Sequence, residues 1–305
     1  MGDDKGKKLI YGLLGCNISY SLSPLMHNAA FRYFGINAEY SIFDIAPKEL
    51  SGFLSGIADG KISGINVTVP YKVAVMETLS GSGKNRIEKF AEKVGAVNTI
   101  RHSAGCLEGF NTDGPGFAES LKDDLGISGE DLTGEKVFII GAGGAGRAVS
   151  FYLMSASPKP GRIFIYDTDG EKAKALSKDL IFNFGNNCAE RVDADEASIR
   201  ARECSLLVNA TPIGTKEGDP VPFPGKYDKI DASLYDLVYA RETEFVKAWK
   251  TRGKRASGGL GMLVNQAVLA FNIWTEAKYD LLEIKSVMRS SLAAEIREKY
   301  GWNIS

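Results

Sequence analysis

The stretch that decides the fold is Lys136-Val137-Phe138-Ile139-Ile140-Gly141-Ala142-Gly143-Gly144-Ala145-Gly146, in which an apolar run leads directly into a glycine-rich turn. The apolar run predicts a buried strand, and Gly141, Gly143 and Gly146 fit the pattern G-x-G-x-x-G at the start of a helical pattern. The first glycine of this pattern permits a tight turn, the second lets the backbone approach a pyrophosphate, and the third lets the helix pack on the strand. The stretch therefore predicts a bound dinucleotide, with a purely structural turn as the alternative.

Strand and helix patterns continue to alternate after this stretch. Arg162–Tyr166 has the pattern of the next strand, Glu171–Phe184 that of an amphipathic helix, and Ser205–Asn209 and Leu234–Val238 those of further strands. Such alternation is typical of βαβ units with a parallel sheet. We therefore predict an α/β protein with a Rossmann-type parallel-sheet domain over residues 114–257.

The residue after the second strand bears on the choice of cofactor. Asp167 stands 21 residues after Gly146, the position at which a carboxylate binds the ribose 2′-hydroxyl of a dinucleotide and repels a 2′-phosphate. Asp169 adds a second negative charge, and no arginine stands between the two. The expected cofactor is NAD or NADP, with NAD favoured by Asp167 and the missing arginine.

The first flank of this domain also mixes strands and helices. Before it, strand patterns separated by helical patterns occur at Leu9–Gly15, Tyr40–Ile45, Ile62–Val69 and Ala96–Arg101. After Gly258, two long helical patterns complete the chain. The first flank therefore predicts α/β structure, and the second adds two helices.

Composition excludes several classes of protein. The chain of 305 residues has a net charge of −1, so it lacks the positive field that attracts nucleic acid or an anionic membrane. No apolar run approaches the ~18 residues of a transmembrane helix, and the one near the N-terminus is too short for a secretory signal. The four cysteines are scattered without a C-x-x-C pair, as in reduced proteins. We therefore expect a cytoplasmic protein with a small-molecule substrate and no nucleic-acid or membrane partner.

Two residue counts are unusual. Because the only histidines are His27 and His102, a multi-histidine metal centre is nearly excluded, and no metal is expected. Acid–base chemistry then falls to lysine, carboxylate, tyrosine or cysteine side chains. The 34 glycines exceed the typical fraction of ~7% and indicate backbone roles such as that of the glycine-rich turn.

Polar residues interrupt an apolar segment in the first flank. In Gly64–Lys72 the strand period of two places Asn66 and Thr68 on one face, and Lys72 lies just beyond Pro70, where the strand ends. Ligands of α/β folds bind at the carboxyl ends of strands, so these side chains are candidates for a binding site. A solvated strand face with a surface lysine is the alternative.

Other polar residues stand near helix starts or among apolar neighbours. Ser21 and Ser23 come just before Pro24, which predicts Ser23 as a helix cap and the two hydroxyls as a cradle for an anion. Asn98 and Gln266 are amides in apolar surroundings, so each needs a partner in the core or in a ligand. Taken alone, each of these residues also has an ordinary structural interpretation.

Seven ordered segments resemble the motifs of shikimate dehydrogenases. In chain order they are Ser21-Leu22-Ser23-Pro24-Leu25-Met26-His27-Asn28, Gly64-Ile65-Asn66-Val67-Thr68-Val69-Pro70-Tyr71-Lys72, Gly95-Ala96-Val97-Asn98-Thr99, Asn111-Thr112-Asp113, Gly141 to Gly146, Asn209-Ala210-Thr211-Pro212, and Gly259-Leu260-Gly261-Met262-Leu263-Val264-Asn265-Gln266. The resemblance covers residues 9–280. It implies an enzyme that interconverts shikimate and 3-dehydroshikimate by hydride transfer with a nicotinamide dinucleotide. It also implies a discontinuous α/β substrate domain, made of residues 1–113 and 258–305, around the central Rossmann-type domain.

The same resemblance implies roles for individual residues. Lys72 and Asp113 form the catalytic pair, and which of them carries the proton is open; taken alone, Asp113 has the pattern of a helix cap or turn residue. The implied substrate-binding residues are Ser21, Ser23 and Tyr239 at the carboxylate, and Asn66, Thr68, Asn98 and Gln266 at the ring hydroxyls. The implied cofactor-binding residues, besides the glycine-rich turn and Asp167, are Thr211, Leu237 and Gly259.

The chain departs from the family's pattern in two places. Members that use NADP commonly carry Asn-Arg-Thr where this chain has Asp167-Thr168-Asp169, and an aspartate commonly stands where this chain has Gly258. The first departure resembles NAD-dependent quinate/shikimate dehydrogenases, which are one alternative. A non-catalytic dinucleotide sensor on this fold is another, and the presence of Lys72 and Asp113 argues against it. The oligomeric state is open between monomer and homodimer.

Overall fold

A computed structural model of the chain describes residues 8–157, 159–239 and 241–300. The chain divides into two compact units. One, the discontinuous unit, comprises the chain up to Thr112 and again from Val264; the other, the continuous unit, comprises Asp113–Leu263. The expectation from sequence places these bounds at residues 113 and 258.

Both units are built from strands and helices in alternation. The strands are β1 (Leu9–Gly15), β2 (Ala38–Asp44), β3 (Gly64–Val67), β4 (Arg86–Ile87), β5 (Thr99–Ser103), β6 (Cys106–Phe110), β7 (Lys136–Ile140), β8 (Arg162–Tyr166), β9 (Ala189–Arg191), β10 (Leu206–Asn209), β11 (Ser233–Asp236) and β12 (Ala256–Gly258). The helices are α1 (Ser23–Tyr33), α2 (Leu50–Ala58), α3 (Lys72–Ser80), α4 (Lys89–Val94), α5 (Asp113–Leu125), α6 (Gly144–Ser155), α7 (Gly170–Phe184), α8 (Ala197–Ala201), α9 (Glu244–Thr251), α10 (Leu260–Trp274) and α11 (Leu281–Tyr300). Over the part of the chain described, none of these helices combines the length and the apolar character needed to cross a membrane.

The discontinuous unit contains a mixed sheet in the order β2-β1-β3-β5-β6-β4. β1 lies parallel to β2 and β3, whereas β5 lies antiparallel to both β3 and β6. Side chains from these strands pack with those of α2 and α3 into a buried core that includes Leu14, Leu54, Ile65, Val67 and Val75. Because β1 and β3 run in parallel, the segments that follow them, with Ser21 and Lys72, leave from the same edge of the sheet.

The continuous unit contains a parallel sheet in the order β12-β11-β10-β7-β8-β9. β7 lies between β8 and β10, so the strand order reverses there. Open α/β sheets bind their ligands outside the carboxyl ends of the strands at such a position. The apolar run predicted as a buried strand is β7, in which Val137 to Ile140 are buried. The prediction of an α/β fold with a Rossmann-type parallel sheet is confirmed.

Two local predictions are wrong. Ser23 does not cap α1 but is its first residue; Leu22 stands at the cap position without a side-chain cap hydrogen bond, and the Ser23 N–H donates to Ser21 Oγ at 3.3 Å. The strand predicted from Ala96 begins only at Thr99. The Val97 N–H donates to the Lys72 carbonyl at 3.0 Å, outside any strand ladder.

A buried carboxyl group ties the end of β11 to its neighbours. The Asp236 carboxylate is fully buried and accepts hydrogen bonds from Asn209 Nδ2 (2.8 Å), the Val238 N–H (3.1 Å) and Thr243 Oγ1 (2.6 Å). Burial outweighs these donors and raises the pKa of Asp236 to about 6. Because this pKa is higher in the folded chain than in the unfolded one, the stabilising proton is bound at low pH and lost as pH rises through 6.

We predict that Asp236→Asn becomes more stable, relative to wild type, as pH rises. The amide is neutral at every pH, accepts from Asn209 and Val238 through its oxygen, and donates to Thr243 Oγ1. Between pH 4 and pH 8 the difference in free energy of unfolding should move by about 3 kcal/mol in favour of the variant, from ~2 pKa units at ~1.4 kcal/mol each. Urea denaturation at each pH measures this difference.

The control for this prediction is Asp195→Asn, which neutralises an exposed carboxylate of the same unit. Its difference from wild type should stay nearly constant with pH. If the difference in free energy of unfolding between Asp236→Asn and wild type is also constant with pH, burial does not destabilise the ionised carboxylate and the prediction is wrong.

Candidate functional site

The glycine-rich turn connects β7 to α6. Gly141 has a φ of +102°, which residues with a side chain rarely adopt, and a Cβ there would lie 2.9 Å from Thr211 Cγ2. A Cβ on Gly146 would lie 2.0 Å from the Gly141 carbonyl oxygen, so only glycine lets α6 come this close to the turn. A Cβ on Gly143, by contrast, would meet nothing within 4 Å. The turn is therefore closed on its protein side and open at Gly143.

This geometry fits the pyrophosphate of a dinucleotide. α6 begins at Gly144, and the first N–H groups of a helix have no partners within it, so they can donate to an anion. Ala142 is buried and Ala145 half-buried, and neither has a polar side chain. Contacts between the turn and a phosphate would therefore be made by the main chain, with open space beside Gly143.

Asp167 is held next to this turn. Its Oδ2 accepts a hydrogen bond from the Ala142 N–H at 2.7 Å, and its Oδ1 accepts one from the Asp169 N–H at 2.9 Å. Asp169 itself caps α7, where its carboxylate accepts from the N–H groups of Glu171 and Lys172. The two acidic residues therefore have different roles: Asp169 stabilises a helix, whereas Asp167 places a carboxylate at the mouth of the turn.

One charged residue near the start of α7 was missed by the sequence reasoning. Arg191 ends β9, which pairs with β8, and its guanidinium lies 3.3 Å from the position that a Cβ of Gly170 would occupy. Gly170 is the first residue of α7, three positions after Asp167. Arg191 also forms an ion pair with Asp193. An arginine at the end of a strand adjacent to β8 could have indicated this cation. The strand that carries it, β9, is too short to be recognised from the sequence.

The remaining cofactor candidates follow neighbouring strands of the same sheet. Thr211 comes just after β10, where its N–H and Oγ1 both donate to Asn209 Oδ1, at 3.0 and 2.7 Å. Leu237 comes just after β11 and is half-buried. A Cβ on Gly259 would lie 2.2 Å from the Leu237 carbonyl oxygen, so the backbone at these two residues is in close contact. The structure thus brings Thr211 next to Gly141 and Leu237 next to Gly259.

The two candidate serines lie together in the discontinuous unit. Ser21 Oγ and Ser23 Oγ are 3.2 Å apart, with Ser21 half-buried and Ser23 buried. Ser21 also borders a cavity of about 370 Å³, lined in addition by residues of α1 and α11, among them Arg32 and Glu295. The pair therefore presents adjacent hydroxyls at the start of α1, as the anion cradle requires.

The amides on β3 and before β5 are buried and hydrogen-bonded to the protein. Asn66 Oδ1 accepts from Tyr40 Oη at 2.8 Å, and Asn66 Nδ2 donates to Thr99 Oγ1 at 3.0 Å. Asn98 Oδ1 accepts from Thr99 Oγ1 at 3.0 Å and from the Thr112 N–H at 2.8 Å. The hydroxyl of Thr68, half-buried just after β3, has no hydrogen-bond partner among the described residues.

The remaining candidates are distributed over both units. Lys72, half-buried at the start of α3, and Gln266, half-buried on α10, belong to the discontinuous unit. Asp113, buried as the first residue of α5, and the half-buried Tyr239 after β11 belong to the continuous unit. The hydrogen bond from Val97 to the Lys72 carbonyl brings Lys72 next to the segment that carries Asn98.

The histidine of the first motif has no catalytic geometry. His27 is fully buried, and neither of its ring nitrogens has a hydrogen-bond partner within the described residues. Burial lowers the pKa of His27 to about 3, so the imidazole is neutral. In the part of the chain that the structure describes, no group of three His, Cys, Asp or Glu side chains could hold a metal ion.

Comparisons with known proteins identify both flanks of the chain. Residues 13–100 match the model of the shikimate dehydrogenase substrate-binding domain, and residues 259–289 match that of the shikimate 5′-dehydrogenase C-terminal domain. The shikimate dehydrogenase (NADP(+)) of Methanopyrus kandleri is 39% identical, over 94% of this chain and 96% of its own.

Solved structures agree with these matches. The shikimate dehydrogenase of Aquifex aeolicus has a TM-score of 0.80 at 32% identity, covering 96% of this chain and 99% of its own. The Thermus thermophilus enzyme, solved in complex with NADP(H) and shikimate, has a TM-score of 0.76 at 32% identity, covering 93% and 99%. Identity above 30% over nearly the full length of these relatives means that the chain belongs to the shikimate dehydrogenase family.

Proposed function

We propose that this protein is a shikimate dehydrogenase, which reversibly reduces 3-dehydroshikimate to shikimate with a nicotinamide dinucleotide in aromatic amino-acid biosynthesis. The proposal is supported by two features that occur together in this member of the family. One is a turn shaped for a pyrophosphate, with Asp167 fixed at its mouth. The other is a sheet edge that bears hydroxyl, amide and ammonium groups suited to a small polyhydroxy acid.

The discontinuous unit supplies groups for each part of such a substrate. Ser21 and Ser23 bind the carboxylate through hydroxyls 3.2 Å apart, aided by the positive end of the α1 dipole. Thr68, Asn98 and Gln266 bind the ring hydroxyls. Neutral donors suit a carboxylate that must also be released, because an ion pair with a buried arginine would hold it more tightly. Tyr239, from the continuous unit, is the further proposed contact of the carboxylate.

The chemical step needs a residue that moves one proton. Bound nicotinamide accepts or supplies the hydride, and Thr211, Leu237, Gly259 and the glycine-rich turn are the residues proposed to hold its dinucleotide. When the alcohol is oxidised its hydroxyl proton must go to a base, and in the reverse direction the carbonyl oxygen must receive one. Lys72 and Asp113 are the proposed pair for this transfer. A lysine ammonium also stabilises the negative charge that develops on the oxygen.

A second candidate function is an NAD-dependent quinate/shikimate dehydrogenase. The segment Asp167-Thr168-Asp169 favours it, because it lacks the arginine expected of NADP-specific members. The third candidate, a dinucleotide sensor without catalysis, is less favoured because Lys72 and Asp113 are both present. These candidates differ in which substrate turns over.

The purified protein should reduce cofactor when shikimate is added. We predict turnover with shikimate and at least tenfold lower kcat/KM with quinate, measured as initial rates at 340 nm with each substrate and each of NAD and NADP. A preference for quinate would favour the second candidate. Absence of turnover with both substrates and both cofactors, in a protein that binds the dinucleotide, would support the sensor instead.

Replacement of Lys72 by alanine should remove turnover more than binding. We expect kcat to fall by about a thousandfold, a typical contribution of a general acid or base, with the KM for shikimate changed only severalfold. Lys61→Ala, on an exposed lysine of the same unit, is the matched control and should behave as wild type. An unchanged kcat in Lys72→Ala would remove Lys72 from the proposed pair.

We also propose that NAD is preferred over NADP. The hydrogen bond from Ala142 to Asp167 fixes the carboxylate where the 2′-hydroxyl of the adenosine ribose binds in folds of this type. A 2′-phosphate there would meet a negative charge at short range. The Methanopyrus relative is named as an NADP(+) enzyme, which is the opposite preference. Arg191, near Gly170, is a cation that would weaken this repulsion.

Neutralising Asp167 should shift this preference. We predict that Asp167→Asn changes the ratio of kcat/KM for NADP to that for NAD by at least about tenfold towards NADP, because the repulsion is lost. Asp169→Asn is the matched control: it removes a neighbouring charge but keeps the α7 cap, since asparagine caps helices as well as aspartate does. Equal shifts in both variants, or a wild type that prefers NADP, would refute the assignment to Asp167.

A further inference from the structure

Five buried side chains form one hydrogen-bonded network beneath the proposed substrate site. The Tyr40 network consists of Tyr40, Asn66, Thr99, Asn98 and Thr112, each at most 4% exposed. Tyr40 Oη donates to Asn66 Oδ1 (2.8 Å), and Asn66 Nδ2 donates to Thr99 Oγ1 (3.0 Å). Thr99 Oγ1 donates to Asn98 Oδ1 (3.0 Å), and Asn98 Nδ2 donates to Thr112 Oγ1 (2.9 Å).

The direction of these hydrogen bonds is set by a backbone group. The Thr112 N–H can only donate, and it donates to Asn98 Oδ1 at 2.8 Å. The Asn98 amide is thereby oriented, with its oxygen committed to protein donors. If Thr99 also donates to that oxygen, its own oxygen can accept from Asn66 Nδ2, which in turn leaves Asn66 Oδ1 to accept from Tyr40. One orientation therefore satisfies the whole network, as buried polar groups require.

The far end of the network is fixed by aromatic packing. The His27 ring stacks on the Tyr40 ring, with centroids 4.3 Å apart and planes inclined by 9°. His27 also packs against Trp274, with centroids 5.1 Å apart. Because His27 and Tyr40 are both buried, the Tyr40 ring has little freedom to move its hydroxyl away from Asn66.

These contacts change the role expected of Asn66. The resemblance to shikimate dehydrogenases implies that Asn66 binds a ring hydroxyl, yet its amide is engaged within the protein: Oδ1 accepts from Tyr40, and Nδ2 donates to Thr99 and, at 3.4 Å, to the Asn98 carbonyl. Asn98 Oδ1 accepts from Thr99 Oγ1 and from the Thr112 N–H, and Asn98 Nδ2 donates to Thr112 Oγ1, so the protein itself fixes the orientation of the Asn98 amide.

We propose that Tyr40, Asn66 and Thr99 are positioning residues, which act through Asn98 to fix the orientation of its side-chain amide at the proposed substrate site; this role rests on the proposed shikimate dehydrogenase function. Loss of a link in the network loosens the Asn98 amide, so it weakens substrate binding without altering the proton transfer at Lys72.

A double-mutant cycle on the intact enzyme tests this role. Thr99→Val removes the link next to Asn98 and should raise the KM for shikimate about tenfold, whereas Tyr40→Phe removes the first link and should raise it about threefold. The double variant should match Thr99→Val within about twofold, because Tyr40 then has no path to Asn98. The kcat and the KM for the cofactor should change less than twofold in all three variants.

The matched control is Tyr11→Phe, which removes a hydroxyl from a buried tyrosine of the same unit that also packs on Trp274. It should leave the KM for shikimate unchanged. Any of three results would overturn the proposal: a KM for shikimate raised about thirtyfold in the double variant, a KM raised as much in Tyr11→Phe as in Tyr40→Phe, or an unchanged KM in Tyr40→Phe. If the wild-type enzyme turns over shikimate and the variants have the same KM as wild type, only the role of the network is refuted. If the wild type does not turn over shikimate, the proposed function is refuted and this role with it.

Discussion

The close contact between α6 and the glycine-rich turn is the constraint on which the continuous unit depends. A Cβ on Gly146 would lie 2.0 Å from the Gly141 carbonyl oxygen. The helix can therefore start at Gly144 only if residue 146 is glycine. This start places the free N–H groups of α6 beside the open space at Gly143 and lets the Ala142 N–H reach Asp167. The same contact thus positions the proposed phosphate-binding turn and the Asp167 carboxylate, which we propose determines the preference for NAD over NADP.

Each unit also uses buried polar side chains to fix the backbone near its candidate residues. In the continuous unit Asp236 joins Asn209 to Thr243, and Asn209 in turn accepts from Thr211. In the discontinuous unit the Tyr40 network orients Asn98. Buried polar groups are costly unless every donor and acceptor is satisfied, so each network has one favoured arrangement and holds the loops around it accordingly.

Much of this architecture could be predicted from the sequence, because the deciding signals are local. The apolar run before Gly141 and the spacing of the three glycines predict the strand, turn and helix that the structure contains. The rest depends on contacts between distant residues. The pairing of Tyr40 with Asn66 and the approach of Arg191 to Gly170 each result from tertiary packing that no short pattern encodes.

The central claim is that this protein reduces 3-dehydroshikimate to shikimate. The most direct measurement follows the protein with 3-dehydroshikimate and reduced dinucleotide, identifies the product by proton NMR, and counts the cofactor oxidised. The account predicts that shikimate is the product and that it forms in equal amount to the oxidised cofactor. Binding of both compounds without formation of shikimate, or cofactor oxidation without it, would contradict the account.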